Sequence, residues 1–113
     1  MNYVFDIDGT LCTNSQGDYS AAKPFFERIK VVNELFDQGN QIILLTARGM
    51  GSSENNQEIA KTKWESFTKD QLASWGVKYH MLFLGKPSGD LYVDDKGVND
   101  SDFFESVKAK GFI

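Results

Sequence analysis

The chain has 113 residues, of which 12 are basic and 16 are acidic, and its formal net charge is −4. Hydrophobic residues make up 41% of the sequence and charged residues 25%, which are the proportions of an ordinary globular protein. A chain of this length suits one core, so we expect residues 1–113 to form a single domain. The acidic balance argues against broad binding to nucleic acid or to an anionic membrane surface.

Three further features bear on the compartment in which the protein works. The sequence contains no apolar run that is long enough to span a bilayer. It opens directly on an apolar strand, which leaves no room for a signal peptide. Cys12 is the single cysteine, so no intramolecular disulfide can form, as is typical of a reducing compartment. We therefore expect a cytoplasmic protein that does not act at a membrane.

The first half of the chain alternates between predicted strands and helices. The apolar run 3–5 predicts a buried strand. Residues 11–22 are polar and rich in turn formers, and we expect them to make a hairpin-like flap. Apolar residues recur at helical spacing over 24–39, which predicts a helix. Residues 41–45 are continuously apolar up to Thr46, and such runs are typical of the interior of a parallel sheet.

The second half repeats the alternation. Residues 47–56, rich in glycine and serine, predict a mobile loop, and the following helical pattern extends to about residue 75. The helical register slips near residues 68–71, which resemble a capping box, so either one helix or two would fit. Residues 79–84 and 91–93 predict the third and fourth strands.

The chain ends in a predicted helix that starts at Asp102 and stops at Gly111, and any fifth strand is absent or reduced to Phe112-Ile113. Strands that alternate with helices predict an α/β fold with a doubly wound, mostly parallel sheet. We expect about four core strands, helices on both faces and no cap domain. The exposed edge of such a sheet is open to pairing between subunits, and a homodimer is therefore a hypothesis.

The chemistry is concentrated just after the first strand. Asp6 and Asp8 are spaced two apart, so strand alternation places both carboxylates on one side, and Gly9 then lets the chain turn. Two crowded carboxylates repel each other unless a cation or a shared proton offsets the repulsion. Mg²⁺ prefers a few carboxylate oxygens together with water and phosphate oxygens. The pair therefore points to phosphoryl chemistry.

The segment Asp6-Ile7-Asp8-Gly9-Thr10 resembles the DxDG[TV] signature of the haloacid dehalogenase (HAD) superfamily of phosphohydrolases. Three further segments match that family in the same order, which gives four ordered motifs between residues 6 and 95. They are Ile42-Ile43-Leu44-Leu45-Thr46-Ala47-Arg48, Gly85-Lys86-Pro87 and Leu91-Tyr92-Val93-Asp94-Asp95. Within the superfamily, the short chain is most similar to small capless members described as capsule-biosynthesis phosphatases.

The resemblance implies a role for each matching residue. Asp6 would be the nucleophile that forms an aspartyl-phosphate. Asp8 would protonate the leaving group and then deprotonate the hydrolytic water, while its main-chain carbonyl binds the metal. Thr46 would offer its hydroxyl and the amides that follow it, including that of Ala47, to the phosphoryl oxygens. Lys86 would balance the charge of Asp6 and of the phosphate.

Other roles stay open at this stage. The resemblance implies that Asp6, Asp8, Asp94 and Asp95 hold Mg²⁺, with one of the last two a direct ligand and the other acting through water or as a lysine partner. Arg48 could contact the substrate or form a salt bridge with the mobile loop. Tyr19 and Leu11 could face a substrate or simply pack.

These observations together predict a Mg²⁺-dependent phosphomonoesterase that acts on a small phosphorylated metabolite, with a sugar phosphate of surface-polysaccharide synthesis as the first expectation. Without a cap the site should be open, so a nucleotide or a nucleic-acid 3′-phosphate end is the alternative substrate, although the acidic balance disfavours long polynucleotides. A non-catalytic phosphate-binding module is the alternative outside enzymes.

Overall fold

A computed structural model describes residues 1–109 as three strands and three helices around one parallel sheet. The elements in chain order are β1 (Asn2–Phe5), α1 (Phe26–Asp37), β2 (Gln41–Thr46), α2 (Gln57–Ser74), β3 (Met81–Leu84) and α3 (Asp100–Ala109). The expected α/β class, with a parallel Rossmann-like sheet and no cap domain within residues 1–109, is confirmed. Within that part of the chain, no helix is both long and apolar enough to cross a membrane.

The three strands lie in the order in which they occur in the chain, β1-β2-β3. Tyr3 pairs with Ile42 and Leu44 pairs with Leu82 in two parallel ladders. Since parallel strands end at the same edge of a sheet, the residues that follow all three strands meet at one carboxyl edge.

One face of the sheet carries the core. Phe5, Ile42 and Leu44 point to this face and join buried residues of all three helices in one cluster. From α1, α2 and α3 come, among others, Val32, Leu35, Leu72, Phe104 and Val107. All three helices therefore pack on the same face, which differs from the expected helices on both faces. For α1 and α2 the reason is topological, because right-handed crossovers between strands added in one direction place their helices on one side. Helix α3 is held on the same face by Phe103 and Phe104, which pack against Phe5.

The predicted fourth strand is wrong. Residues 91–93 form no strand, and Leu91 and Val93 are 81% and 90% exposed. The chain leaves the sheet at Gly85, whose φ of +105° only glycine adopts readily. The Tyr92 hydroxyl then donates to the Pro87 carbonyl (2.7 Å), which closes a local loop instead of a ladder. The sheet of the described chain thus has three strands rather than about four.

The segment from residue 57 to residue 74 is one helix, which settles the choice between one helix and two. Its N-cap is Asn56, whose side chain accepts the Ile59 amide at 3.1 Å. Thr68, which had suggested a second cap, is instead buried in the middle of α2. The predicted stop of the last helix at Gly111 and the remnant strand at Phe112-Ile113 lie outside the described residues.

The hairpin-like flap is present between β1 and α1. The Thr13 amide donates to the Lys23 carbonyl (2.9 Å), and the Phe25 amide donates to the Leu11 carbonyl (2.8 Å). These bonds close residues 11–25 into one excursion beside the carboxyl edge. Leu11 is fully buried, so of its two predicted alternatives the structure gives packing.

Candidate active site

Three residues predicted for the site meet at the carboxyl edge of the sheet. Asp6 directly follows β1, Thr46 ends β2, and Lys86 lies just beyond β3. The Lys86 ammonium lies 3.8 Å from the Asp6 carboxylate, and the Lys86 amide donates to the Thr46 carbonyl at 3.1 Å. The strand ladder therefore brings together side chains that are 80 positions apart in the sequence.

Asp6 is half-buried but open to solvent. Its side chain is 33% exposed and that of Lys86 is 22% exposed. Burial raises the pKa of Asp6 above its usual value, while the Lys86 charge opposes that rise, as do hydrogen bonds from Ile7 and Thr10. Asp6 is thus an accessible carboxylate whose charge is supported by one adjacent cation.

Asp8 is held in a different manner, by a buried guanidinium. Arg48 Nε donates to Asp8 Oδ2 at 2.9 Å and Arg48 Nη2 donates to Asp8 Oδ1 at 3.1 Å. This two-point geometry fixes the plane of the carboxylate as well as its position. Arg48 itself is buried, and its Nη1 donates to the Thr68 hydroxyl of α2 at 3.3 Å.

Two further groups surround this ion pair. The Tyr19 ring of the flap lies 4.8 Å from the Arg48 guanidinium carbon, in cation–π contact. The Cys12 thiol lies 3.5 Å from Asp8 Oδ1. Burial, followed by the nearby Asp8 charge, raises the pKa of Cys12 to about 12, so the thiol stays protonated at neutral pH.

Arg48 is the residue whose placement differs most from expectation. A salt bridge with the 47–56 loop had been one of its two predicted roles, and its ion pair is with Asp8 instead. The signal missed was that a buried arginine requires an acidic partner, and Asp8 is one of two acids, with Asp6, that follow β1 at the same sheet edge. Its other predicted role, contact with substrate, stays a prediction, as does that of Ala47.

Thr46 is buried at the end of β2. Its hydroxyl accepts the Arg48 amide at 3.1 Å, so the side chain stabilises the turn that aims Arg48 at Asp8. The predicted contact between this hydroxyl and a phosphoryl group stays a prediction.

Asp94 and Asp95 lie on the exposed segment between β3 and α3. Within residues 1–109 no group of three or more His, Cys, Asp or Glu side chains is arranged to hold a metal ion. Asp6 offers a free carboxylate, but both oxygens of Asp8 accept hydrogen bonds from Arg48. The carboxylates of residues 1–109 as placed here therefore do not complete a Mg²⁺ site.

Several contacts hold the 47–56 loop, which the sequence predicted to be mobile. The Gly49 amide donates to the Tyr19 hydroxyl at 2.8 Å, and the Ser88 amide donates to Asn55 Oδ1 at 2.9 Å. Trp64 of α2 packs edge-on against Tyr19, with ring centroids 4.6 Å apart. The flap, the loop and α2 thus meet at Tyr19, which packs in this structure rather than facing open space.

Comparison with known proteins supports the fold. An MCSG target from Vibrio cholerae matches with a TM-score of 0.84 and 27% sequence identity, over 96% of this chain and 94% of that one. One chain of a Pnkp1/Rnl/Hen1 complex and one of a Pnkp1/Rnl/Hen1 RNA repair complex each match with a TM-score of 0.55, at 20% and 19% identity. Both matches cover 96% of this chain, which spans only 34% and 31% of those longer chains. No family model and no curated protein matches the sequence.

These matches define the class of protein without naming a function. The chain has a small Rossmann-like α/β fold that extends over nearly the whole length of the Vibrio cholerae protein. At 20% and 19% identity, the similarity to the two longer chains concerns the fold alone.

A first prediction concerns Gly49, which supports the loop next to Arg48. Its φ is +77°, and an added Cβ would lie 2.4 Å from Trp64 Cδ1. Gly49→Ala should therefore lower the free energy of unfolding by about 1–3 kcal/mol, which is the usual cost of such backbone strain, with the Trp64 clash in addition. Urea-induced unfolding followed by tryptophan fluorescence measures this change.

Gly51→Ala in the same loop is the matched control. Its φ lies outside the left-handed region, so an alanine is not strained there. The added Cβ would meet only Ser88 Oγ at 3.8 Å, an ordinary contact. Equal stability of the two variants would contradict the packing described around Trp64.

Proposed function

We propose that this protein is a HAD-type phosphomonoesterase that is Mg²⁺-dependent and acts on a small phosphorylated metabolite. The observation that carries the proposal is the unequal environment of two neighbouring carboxylates. Asp6 is open to solvent and lies 3.8 Å from a lysine, whereas Asp8 is held by both arms of a buried arginine. One carboxylate is thus free to attack and the other is fixed in place beside it.

In the first step, an Asp6 carboxylate oxygen attacks phosphorus. A new bond forms between that oxygen and phosphorus as the bond from phosphorus to the substrate alkoxide breaks, which yields an aspartyl-phosphate. Lys86 balances the negative charge of Asp6 and of the phosphoryl group as they approach each other. Asp8 in its acid form, with one oxygen released from Arg48 to carry the proton, transfers that proton to the departing alkoxide, so that the product leaves as an alcohol.

In the second step, water attacks the aspartyl-phosphate. Asp8, now a carboxylate, takes a proton from that water and so returns to its starting form. The bond between phosphorus and Asp6 breaks, inorganic phosphate leaves and Asp6 is regenerated. Arg48 is a positioning residue in this scheme, because it acts through Asp8.

The Mg²⁺ requirement remains part of the proposal. When bound, the ion would neutralise phosphate oxygens and let an anionic nucleophile approach an anionic substrate. It rests on the resemblance of Asp6, Asp8, Asp94 and Asp95 to the metal-binding acids of the HAD family, since these side chains form no metal-binding group within residues 1–109.

The substrate is proposed from the openness of the site. No cap domain is present within residues 1–109 and the Asp6 side chain is 33% exposed, so a bulky phosphate ester could reach it. The resemblance to capsule-biosynthesis phosphatases makes a sugar phosphate the first choice, used in capsule polysaccharide biosynthesis in the cytoplasm.

Two alternatives belong in the same experiment. Two structural matches come from a Pnkp1/Rnl/Hen1 complex, one of them described as an RNA repair complex, so a nucleotide or a nucleic-acid 3′-phosphate end is the second candidate substrate. The net charge of −4 disfavours long polynucleotides. A phosphate-binding module without turnover is the second class of function.

The proposal predicts that phosphate release depends on Asp6 and on Mg²⁺. We expect the protein to release phosphate from at least one member of a panel of sugar phosphates, nucleotides and a 3′-phosphorylated oligonucleotide. Release should fall to background in Asp6→Asn, which removes the nucleophile, and in wild-type protein after chelation with EDTA. Asp70→Asn, an exposed aspartate on α2, is the matched control and should keep full activity.

The outcomes of this panel distinguish the proposed phosphatase from the alternatives. Full release by Asp6→Asn would refute the nucleophile, and full release in EDTA would refute the metal requirement. Binding of phosphate esters without release of phosphate would favour the non-catalytic module.

A second prediction concerns Lys86. Lys86→Met should lower kcat roughly 100- to 1,000-fold, which is typical of removing one electrostatic stabiliser of a transition state. It should also move the acid limb of the pH–rate profile to higher pH. The sign follows because Lys86 lowers the pKa of Asp6 against the effect of burial, so its removal raises that pKa, and ionised Asp6 then requires a higher pH.

Lys78→Met is the control for this variant, since Lys78 also forms an ion pair, with Asp37 on the surface at 2.8 Å. An unchanged acid limb in Lys86→Met would show that Asp6 does not set the pH dependence.

A third prediction tests whether Arg48 acts through Asp8. Arg48→Lys keeps the positive charge but loses the paired hydrogen bonds that the guanidinium donates to Asp8. Proton transfer from Asp8 to the leaving group should therefore be slower. We expect kcat/KM for an alkyl phosphate to fall roughly 100-fold, in the usual range for general acid catalysis, and to fall far less for p-nitrophenyl phosphate. The nitrophenolate leaving group needs little protonation.

Thermal unfolding of Arg48→Lys accompanies this comparison, because removing a buried partner can destabilise the fold. An equal loss for both substrates in a folded variant would mean that Arg48 has no role in orienting Asp8.

A further inference from the structure

The Lys86 ammonium has an aromatic neighbour as well as an acidic one. Its Nζ lies 3.8 Å from the Asp6 carboxylate and 4.4 Å from the centroid of the Tyr92 ring. A cation over the face of an aromatic ring at this distance is attracted by the negative charge on that face. One ammonium group therefore contacts both the proposed nucleophile and the ring of Tyr92.

A second contact matters because a lysine is hard to hold in one position. Its charge is carried on a flexible stem of four carbons, so a single ion pair leaves the ammonium several positions near its partner. The Lys86 side chain is 22% exposed, whereas that of Lys78, which pairs with Asp37 on the surface, is 49% exposed. The ring of Tyr92 covers part of Lys86 and narrows the positions open to its ammonium group.

Tyr92 is itself held by the loop that carries Lys86, residues 86–92, which we call the lysine loop. The Tyr92 hydroxyl accepts the Gly89 amide at 2.9 Å and donates to the Pro87 carbonyl at 2.7 Å. At the start of the loop, the Lys86 amide donates to the Thr46 carbonyl at 3.1 Å. These bonds fix the ring relative to the backbone from which the Lys86 side chain starts.

The neighbours of Tyr92 in the sequence show that this placement is particular to Tyr92. Tyr92 is 53% exposed, whereas Leu91 is 81% and Val93 is 90% exposed. The ring also packs against the backbone of Gly89, where an added Cβ would lie 3.6 Å from Tyr92 Cε1. Tyr92 does not belong to the hydrophobic core cluster of residues 1–109, so its contacts serve the lysine loop rather than the core.

We propose that Tyr92 is a positioning residue that holds the Lys86 ammonium beside Asp6. The proposal rests on the role proposed above for Lys86 in phosphoryl transfer. An ammonium that is already in place loses less freedom when a phosphoryl group binds, and the charge it supplies is then used more fully in the transition state. Because Tyr92 acts through Lys86, its effect on the reaction requires the lysine.

The first test is a double-mutant cycle of Tyr92→Leu with Lys86→Met, on a phosphate ester that the protein hydrolyses. In the wild-type background, Tyr92→Leu should lower kcat/KM roughly 3- to 30-fold, which corresponds to the loss of a cation–π contact. In the Lys86→Met background the same change should have almost no further effect, because no ammonium remains to be positioned. Leu91→Ala, in the same loop, is the matched control and should leave kcat/KM unchanged in both backgrounds.

The second test is an NMR measurement that needs no activity. Protons above the face of an aromatic ring are shifted upfield by its ring current, so the Lys86 Hε protons should be upfield of those of the other lysines. Protein labelled with ¹³C at lysine Cε shows these signals, and the spectrum of Lys86→Met identifies the one from Lys86. The upfield shift should disappear in Tyr92→Leu and persist in Leu91→Ala.

Three results would overturn the proposal while leaving the phosphatase intact. They are a Lys86 signal without an upfield shift in the wild-type protein, full activity of Tyr92→Leu, and a loss in Tyr92→Leu of equal size in both backgrounds. The last result would mean that the substitution disturbs the loop without acting through Lys86.

Failure of the proposed function would look different. Full activity of Lys86→Met would refute the role of Lys86 in phosphoryl transfer, and with it the role of Tyr92, even if the upfield shift is present. If no phosphate ester is hydrolysed, the phosphatase itself fails, and the NMR signal alone decides whether Tyr92 holds Lys86.

Discussion

The arrangement of the site depends on one buried ion pair, between Arg48 and Asp8. A guanidinium removed from water costs several kcal/mol unless an acidic partner satisfies it, and removing one partner of such a pair is strongly destabilising. Asp8 follows β1, Arg48 follows β2, and Thr68, which also bonds Arg48, lies on α2. Tyr19 brings the flap to the same guanidinium. One side chain therefore connects four parts of the fold at the carboxyl edge of the sheet.

The same ion pair gives two carboxylates of one motif different surroundings. Asp8 is fixed by a rigid fork of donors, while Asp6 points to the open edge beside a flexible lysine. Pairs of acids in unlike environments are a common basis for dividing roles in catalysis. The proposed nucleophile and the proposed proton donor are distinguished here by their neighbours rather than by their residue type.

Much of the fold could be predicted from local patterns. The strands around Phe5, Leu44 and Leu82 and the helix after Pro24 follow from apolar periodicity, and the parallel-sheet rule then brings Asp6 to the same edge as Lys86. The run Leu91-Tyr92-Val93 carries the same local signal, but a strand needs a partner. Local hydrogen bonds of Tyr92 hold this segment outside the sheet instead.

The features that sequence reasoning missed are all long-range. The pairing of Arg48 with Asp8 joins residues 40 positions apart, and the contact of Arg48 with Thr68 inside α2 joins residues 20 positions apart. Whether the helices cover one face of the sheet or both depends on the side of the sheet to which a fourth strand would be added. Tertiary packing determines these features, and the apolar periodicity of the sequence carries no information about it.

The central claim is that Asp6 carries the phosphoryl group during turnover. The most direct test is to quench the protein in acid during hydrolysis of a substrate found active and to map the modified residue by mass spectrometry of its peptides. A phosphoryl group should appear on Asp6 during turnover and disappear as substrate is consumed. Phosphate release without any protein-bound phosphoryl group, or with the group on another residue, would contradict it.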